Sequence, residues 1–306
     1  MAALASSLHV PVLLPAVLAA AEGAERAVDA TLGDGGHTAA LLGAGLEVLG
    51  IDRDPDALAV TSGRLAHSRL RTLLAPYHSA AALSAVRDFK PGFVLMDLGV
   101  SSRQLDAEDR GFTFRPGAPL NMRMSSSGPT AADFLNEADE AELAQVFADY
   151  GDERQARRLA REVTRRRDHR SFAVSDDLVN AIRAVLGPRA GPPDFARLFQ
   201  AVRIAVNEEL PGLEHALPAM RDALLPGGRL AVISYHSGED RVVKHAFREW
   251  GRPCICPPRQ PICTCRGHAL GRVEPKKPIL PDAAEIAANP RARSARLRGF
   301  VVGNAG

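Results

Sequence analysis

The feature that most narrows the fold is an alternation within the first hundred residues. Short apolar runs at 27–32, 47–51, 70–75 and 93–98 are separated by helix-like stretches such as 38–42 and 55–66. Strand, helix, strand at this spacing predicts βαβ units and a parallel sheet. A fifth strand is expected much later, at 229–235, after a helix-like stretch at 212–225 and the turn Pro226-Gly227-Gly228. Between them, from about 103 to 200, no strand is evident. A polar loop (103–129) leads into helical stretches at 131–136, 140–150, 153–167, 175–186 and 194–209. The expectation is an α/β chain: a doubly wound, mostly parallel sheet formed by 1–102 and 201–306, interrupted by a helical insertion at 103–200. No internal repeat is visible.

With 46% of its 306 residues apolar and 24% charged, the chain is neither disordered nor collagen-like. Its net charge of +2 argues for no nucleic-acid or membrane partner. Yet only four of the 38 basic residues are lysines, and arginine suits phosphate through forked hydrogen bonds. An Arg- and Ala-rich genome would give the same count. Residues 10–21 resemble the apolar part of a signal peptide, but no Lys or Arg precedes them and Pro11 and Pro15 interrupt them. They are also too few to span a bilayer. They read as an arm and short helix of a soluble, cytoplasmic protein with no membrane partner. The four cysteines, 254, 256, 263 and 265, lie together and do not form a dispersed disulfide framework.

The run from Asp29 to Thr38, with Gly33, Asp34, Gly35, Gly36 and His37, falls where the first strand should turn into the first helix. Glycines there let backbone approach a ligand. The second strand ends at Asp52, 19 positions after Gly33, and an acid there suits the two hydroxyls of an adenosine ribose. A third acid, Asp97, ends the 93–98 strand at the edge where open α/β sheets bind ligands. Asp34 would repel a pyrophosphate but suits a ligand with an ammonium and a sulfonium, which points to S-adenosylmethionine. The plain alternative is a turn that binds nothing, with Asp52 a solvated strand end.

Longer motifs carry a resemblance. They include His9-Val10-Pro11-Val12-Leu13-Leu14, Gly33-Asp34-Gly35-Gly36-His37-Thr38, Asp97-Leu98-Gly99-Val100-Ser101-Ser102-Arg103-Gln104-Leu105-Asp106, Arg110-Gly111-Phe112 and Leu120-Asn121-Met122-Arg123-Met124. Further along come Phe199-Gln200-Ala201-Val202-Arg203-Ile204, Pro226-Gly227-Gly228-Arg229-Leu230, Ser234-Tyr235-His236-Ser237-Gly238-Glu239-Asp240-Arg241 and Asn289-Pro290-Arg291-Ala292-Arg293-Ser294. Together they resemble the bacterial 16S ribosomal RNA cytosine-N4 methyltransferase (MraW) family from 9 to about 298. The resemblance implies a Rossmann-like class I methyltransferase that uses S-adenosylmethionine to methylate the exocyclic amine of a cytidine in the decoding region of small-subunit rRNA. It implies cofactor contacts at Gly35, Gly36, His37, Asp52, Asp97 and Gln104, and at Tyr77 on a looser match. This chain has Pro15-Ala16 where the family continues with an acid, and Gly238 and Asn121 where Leu and Asp are common.

The cytosine N4 lone pair is delocalised, so catalysis must align the amine and accept hydrogen bonds from it. Asp97, or main-chain carbonyls of 99–102, are candidate acceptors. His236 and Glu239 are candidates for proton acceptance or base contact, though His236 reads equally well as a loop-ordering residue. From 154 to 170, eight arginines (154, 157, 158, 161, 165, 166, 167 and 170) stand against Glu162 and Asp168. At helical spacing Arg154, Arg158, Arg161 and Arg165 share a face. Arg291, Arg293, Arg296 and Arg298 form a second cluster. A solvated helix face is the usual meaning of such a run; with the resemblance, Arg158, Arg165, Arg166, Arg167, Arg291 and Arg293 are expected to contact phosphates of 16S rRNA or the small subunit. Cys254, Cys256, Cys263 and Cys265 have the makings of a tetrahedral zinc site, with reduced thiols in a loop as the alternative. A homodimer is compatible with the sequence. A different methyl acceptor and a non-catalytic RNA-binding factor are the competing functional readings.

Overall fold

The computed structural model describes residues 11–257, 260 and 262–303, so the first two residues of the His9–Leu14 motif and the first of the 10–21 run lie outside the described residues. In chain order the elements are α1 (Leu14–Ala21), β1 (Arg26–Asp29), α2 (Gly36–Gly43), β2 (Glu47–Asp52), α3 (Pro55–Arg64), β3 (Leu70–Leu74), α4 (Ala80–Phe89) and β4 (Phe93–Asp97). Then come α5 (Ser102–Asp106), α6 (Ala131–Glu137), α7 (Glu140–Asp149), α8 (Ala156–Arg167), α9 (Ser175–Leu186) and α10 (Pro192–Asn207). The chain ends with α11 (Glu209–Ala223), β5 (Arg229–Ser234), α12 (Ser237–Trp250), β6 (Gly271–Val273), α13 (Ala283–Ala288) and β7 (Arg296–Val302). Two compact units result, one from Met1–Gly99 with Leu210–Gly306 and one from Val100–Glu209.

The first unit is a seven-stranded sheet in the order β3-β2-β1-β4-β5-β7-β6. Strands β1 to β5 are parallel, and β7 runs antiparallel between β5 and β6. This is the Rossmann-like doubly wound order with a reversed strand inserted near one edge. Alternate residues face opposite ways along each strand. Val28, Val94, Met96, Leu230, Val232 and Phe300 pack with Val86, Leu217, Phe247 and Trp250 from α4, α11 and α12. Ala27, Phe93, Leu95, Ala231 and Ile233 pack on the other face with Val17 of α1 and Leu41 and Leu42 of α2. The central strands are apolar because both faces are covered. Strand β3 is the exposed edge, with Leu74 more than half accessible.

The sequence pattern shows five strands, and the described residues form seven. Strand β6 is only three residues long, and β7 carries two arginines of the second basic cluster, Arg296 and Arg298. One of them, Arg298, is not a surface cation: its guanidinium donates two bonds to Asp240, at 2.7 and 3.1 Å. Helix α12 follows the fifth strand directly, with His236 at its N-cap.

The second unit is helical. Leu135, Phe147, Leu159, Val163, Leu178, Ile182, Leu198 and Val202 build its core from α6 to α10. Helix α8 starts at Ala156, later than the sequence suggests, so Arg154 sits in the preceding turn and not on the shared arginine face. The cause is Asp152, at φ +47°, followed by buried Glu153, whose carboxylate accepts from the Gln155 amide at 2.7 Å and pairs with Arg197 at 2.8 Å. Among the described residues no helix is long and apolar enough to cross a membrane.

Candidate active site

The carboxyl ends of β1, β2, β4 and β5 meet at one edge, and the strand order reverses between β1 and β4, the place where ligands sit in open α/β sheets. The loop after β1 is built to let backbone come close. Gly33 and Gly35 take φ of +50° and +71°, and a Cβ on Gly36 would lie 2.6 Å from the Pro11 ring. The loop is tied down from α3: the Thr61 hydroxyl donates to the Gly33 carbonyl at 3.0 Å, and Arg64 donates to the Asp34 carbonyl. Asp52, at the end of β2, accepts from the Gly33 amide at 2.7 Å through one oxygen and from the Asp54 amide at 2.8 Å through the other. Burial raises its carboxyl above the usual range against these two bonds. Each oxygen keeps a second lone pair, enough for two vicinal hydroxyls.

A second group gathers around Asp97. Its amide donates to the Thr31 hydroxyl at 2.7 Å, and its Oδ1 accepts from the Tyr235 hydroxyl at 2.9 Å. His37 Nε2 lies 2.9 Å from the Val12 carbonyl and must donate to it, because a carbonyl only accepts. The other ring nitrogen, Nδ1, faces Asp97 Oδ2 from 3.6 Å. The Asp97 side chain keeps 23% of its exposure but is crowded by protein, and that burial pushes its carboxyl up to about 6, against the lowering pull of His37 and Tyr235. Asp29, fully buried at the end of β1, accepts from Thr38 at 2.7 Å, and burial raises it too. At the head of α12, Glu239 accepts from the amides of Tyr235 (2.8 Å) and His236 (3.3 Å), and its other oxygen is 3.3 Å from His236 Nε2. Asp29, Asp97 and Glu239, with His37 and His236 beside them, make an acidic site, suited to a ligand with net positive charge.

The fold thus brings together Asp34, Gly35, Gly36, His37, Asp52 and Asp97, and links Asp97 to the strand that leads into His236. Tyr77 lies in the turn after β3, edge-on to His78 at 5.5 Å. Gln104 belongs to the helical unit, where it completes the cap of α5: its Oε1 accepts from the Ser101 amide at 3.0 Å, and its own backbone amide donates to the Ser101 hydroxyl at 3.2 Å. Asp29, Thr31 and Tyr235 carry no assigned role in the sequence reading. Their signal is a polar residue at the carboxyl end of an apolar strand. The Tyr235 bond lowers the Asp97 carboxyl, so Tyr235→Phe is expected to move an acidic limb set by Asp97 in a pH–rate profile to higher pH. Its turnover on the alkaline plateau should fall about tenfold, the loss of one hydrogen bond. An unmoved acidic limb would show that the phenol does not tune Asp97.

The arginines divide. Arg165 makes two bonds to Glu162 (2.9 and 2.8 Å) and Arg166 one (2.6 Å), holding that carboxyl down to about 2. Arg167 donates to the carbonyls of Leu135 and Ala138, closing the α6–α7 junction. Arg157 and Arg161 are exposed, as is Arg158, which donates to Gln155; Arg291 and Arg293 are exposed on a 3-10 turn, Pro290–Ser294.

The sequence model of the MraW methylase family matches residues 6–302. A ribosomal RNA small subunit methyltransferase H from Gemmatimonas aurantiaca is 55% identical over 297 residues, covering 95% of this chain and 94% of its own. A protein of the same name from Rubrobacter xylanophilus is 47% identical over 306 residues, covering 96% of each. Among solved structures, an rRNA methylase from Streptococcus thermophilus aligns with a TM-score of 0.40 at 14% identity, over 92% of this chain and 87% of that one, too loosely to support an argument. The full-length match to the family model and to two relatives above 45% identity decides the assignment: the chain belongs to the MraW methylase family.

Proposed function

We propose that this chain transfers a methyl group from S-adenosylmethionine to the exocyclic N4 amine of a cytidine in the decoding region of 16S rRNA. The observation that carries the reading is Asp97: a strand-end carboxylate, bonded on one oxygen by Tyr235 and facing His37 with the other, at the switch point of a family methylase sheet. The residues fit the cofactor. Asp52 has lone pairs for the ribose, the loop at 33–36 admits backbone contact, and the acidic surroundings suit a cation. When bound, S-adenosylmethionine supplies a methyl group on positively charged sulfur, which leaves as a neutral thioether.

The protein's part is alignment and proton handling. Asp97 accepts a hydrogen bond from the amine, drawing electron density toward N4 as the nitrogen attacks. The proton that the nitrogen must shed passes to the Asp97 carboxylate. With its affinity for protons raised toward neutrality, that carboxylate can take the proton and release it again. His37 Nδ1, alongside, is the next acceptor. The chemistry asks for no Lewis acid, since the leaving sulfur departs uncharged. Zinc at the four cysteines therefore belongs to this proposal only as a group serving the fold.

The exposed cations of the helical unit, Arg157, Arg158 and Arg161, together with Arg291 and Arg293, are proposed to grip RNA phosphates in the cytoplasm, where subunits mature. Arg165, Arg166 and Arg167 already have partners within the protein, so Arg167 in particular is a poor probe of RNA binding. The double variant Arg157→Ser/Arg158→Ser is expected to lower the slope of log affinity against log salt by about two, with cofactor affinity intact. An unchanged slope removes α8 from the RNA surface. The reading as a whole is tested by mapping N4-methylated cytidines in 16S rRNA from cells lacking the chain. One decoding-region mark should vanish and return on re-expression; its persistence overturns the proposal. Purified protein offered naked rRNA or 30S subunits then identifies the substrate form.

A further inference from the structure

Twenty residues separate the end of α12 from the start of β6, and the described residues among them form no helix or strand. A stretch of that length in a compact unit needs something to hold it. Among its described residues, the isoleucines do not build a core: Ile255 and Ile262 are 42% and 75% exposed. What it has is sulfur. Two Cys-x-Cys arms face each other, with Sγ separations of 3.8 Å for Cys254–Cys263, Cys256–Cys263 and Cys254–Cys265, and 3.4 Å for Cys263–Cys265. All four sulfurs lie within 4.8 Å of one another and none is in a disulfide.

Thiols attract one another weakly and thiolates repel, so four sulfurs converging at the surface point to a cation among them. The dimensions name its class. A tetrahedron with metal–sulfur bonds of about 2.3 Å has sulfur–sulfur edges of about 3.8 Å. We propose that Cys254, Cys256, Cys263 and Cys265 hold a zinc ion in a closed structural site that serves as the core of this loop. Four protein ligands fill the tetrahedron and leave no position for a reactant.

The surroundings support such a site. The Ile255 amide points at Cys265 Sγ from 3.4 Å, a bond that steadies a thiolate ligand. Gln260 closes the tip, donating to the Ile262 carbonyl at 3.0 Å and the Thr264 hydroxyl at 2.7 Å. At the base, Arg266 donates to the Glu249 and Arg252 carbonyls at the end of α12, and to the His268 carbonyl at 2.9 Å. The ligand atoms that converge within 4.8 Å are the four sulfurs alone, and His268 Nδ1 is turned to the Arg266 carbonyl at 2.8 Å. The inference stands apart from the methyl-transfer reading.

Elemental analysis of the purified full chain is expected to find one zinc per molecule. Cys265→Ser, or chelation of the wild type, should remove it and speed tryptic cleavage at Arg266, within the loop, and at exposed Arg272 and Lys276. Added Zn²⁺ should restore resistance to the chelated wild type. Affinity for S-adenosylhomocysteine, measured alongside, should stay unchanged and report that the sheet is intact. Metal-free protein with four titratable thiols overturns the proposal, as does stoichiometric iron. Zinc whose removal leaves cleavage unaltered overturns the role as loop core.

Discussion

Asp97→Asn is expected to cost methyl transfer about 10²- to 10⁴-fold, the range for loss of a positioned proton acceptor, and at the same time to make the protein more stable. Both effects come from one charge. Burial pushes the carboxyl up to about 6. Against an ordinary value of about 3.9, that corresponds to a cost of about 3 kcal/mol for holding the ionised group in the folded state. Because the folded carboxyl is raised, the stability it allows is fully present below about pH 4 and is lost as pH rises through 6. Asparagine removes the cost but weakens the Tyr235 bond, worth about 1 kcal/mol, so the net gain above pH 7 is about 2 kcal/mol. Denaturation curves of wild type and variant should therefore converge near pH 4 and separate above 6, while wild-type activity falls as pH drops through 6. A variant of undiminished turnover, or a stability gap that ignores pH, would remove Asp97 from the proposed role.

Asp52→Ala is expected to weaken cofactor binding about 100-fold, the worth of two hydrogen bonds to a charged acceptor. The effect has two sources. The ribose hydroxyls lose their acceptor, and the Gly33 and Asp54 amides lose the oxygens that set the loop beside them. Asp52→Asn keeps an acceptor and should fall between the two. Calorimetry with S-adenosylhomocysteine reads the series directly. Equal affinities across it would place the ribose elsewhere.

What could be read from sequence follows burial. Strands β1, β2, β4 and β5 show as apolar runs because helices cover both their faces, and Asp52 and Asp97 stand out as charges ending such runs. Strand β7 did not, because its outer positions carry Arg296 and Arg298 and it looked like a basic patch. The partner that absorbs Arg298, Asp240, is 58 residues away and invisible to any local pattern. The same holds for Arg167, one of a run of three arginines by sequence but a clasp on two carbonyls in the fold. Asp29 and Tyr235 were missed for a related reason. Neither is unusual in sequence; Thr38, Thr31 and Asp97 make them part of a site, and those contacts exist only once the strand ends are brought to one edge.

The position of β7 has a consequence for how the chain is made. The helical unit is one uninterrupted stretch and can close its core while the rest is still being synthesised, whereas the sheet is split around it. Until residues 296–302 emerge, β5 presents an open edge of unpaired amides and carbonyls, and β6 has nothing to pair with. Translation thus delivers the insertion first and the sheet last. A chain stalled a few codons short would carry a finished helical unit beside an adhesive, unclosed sheet.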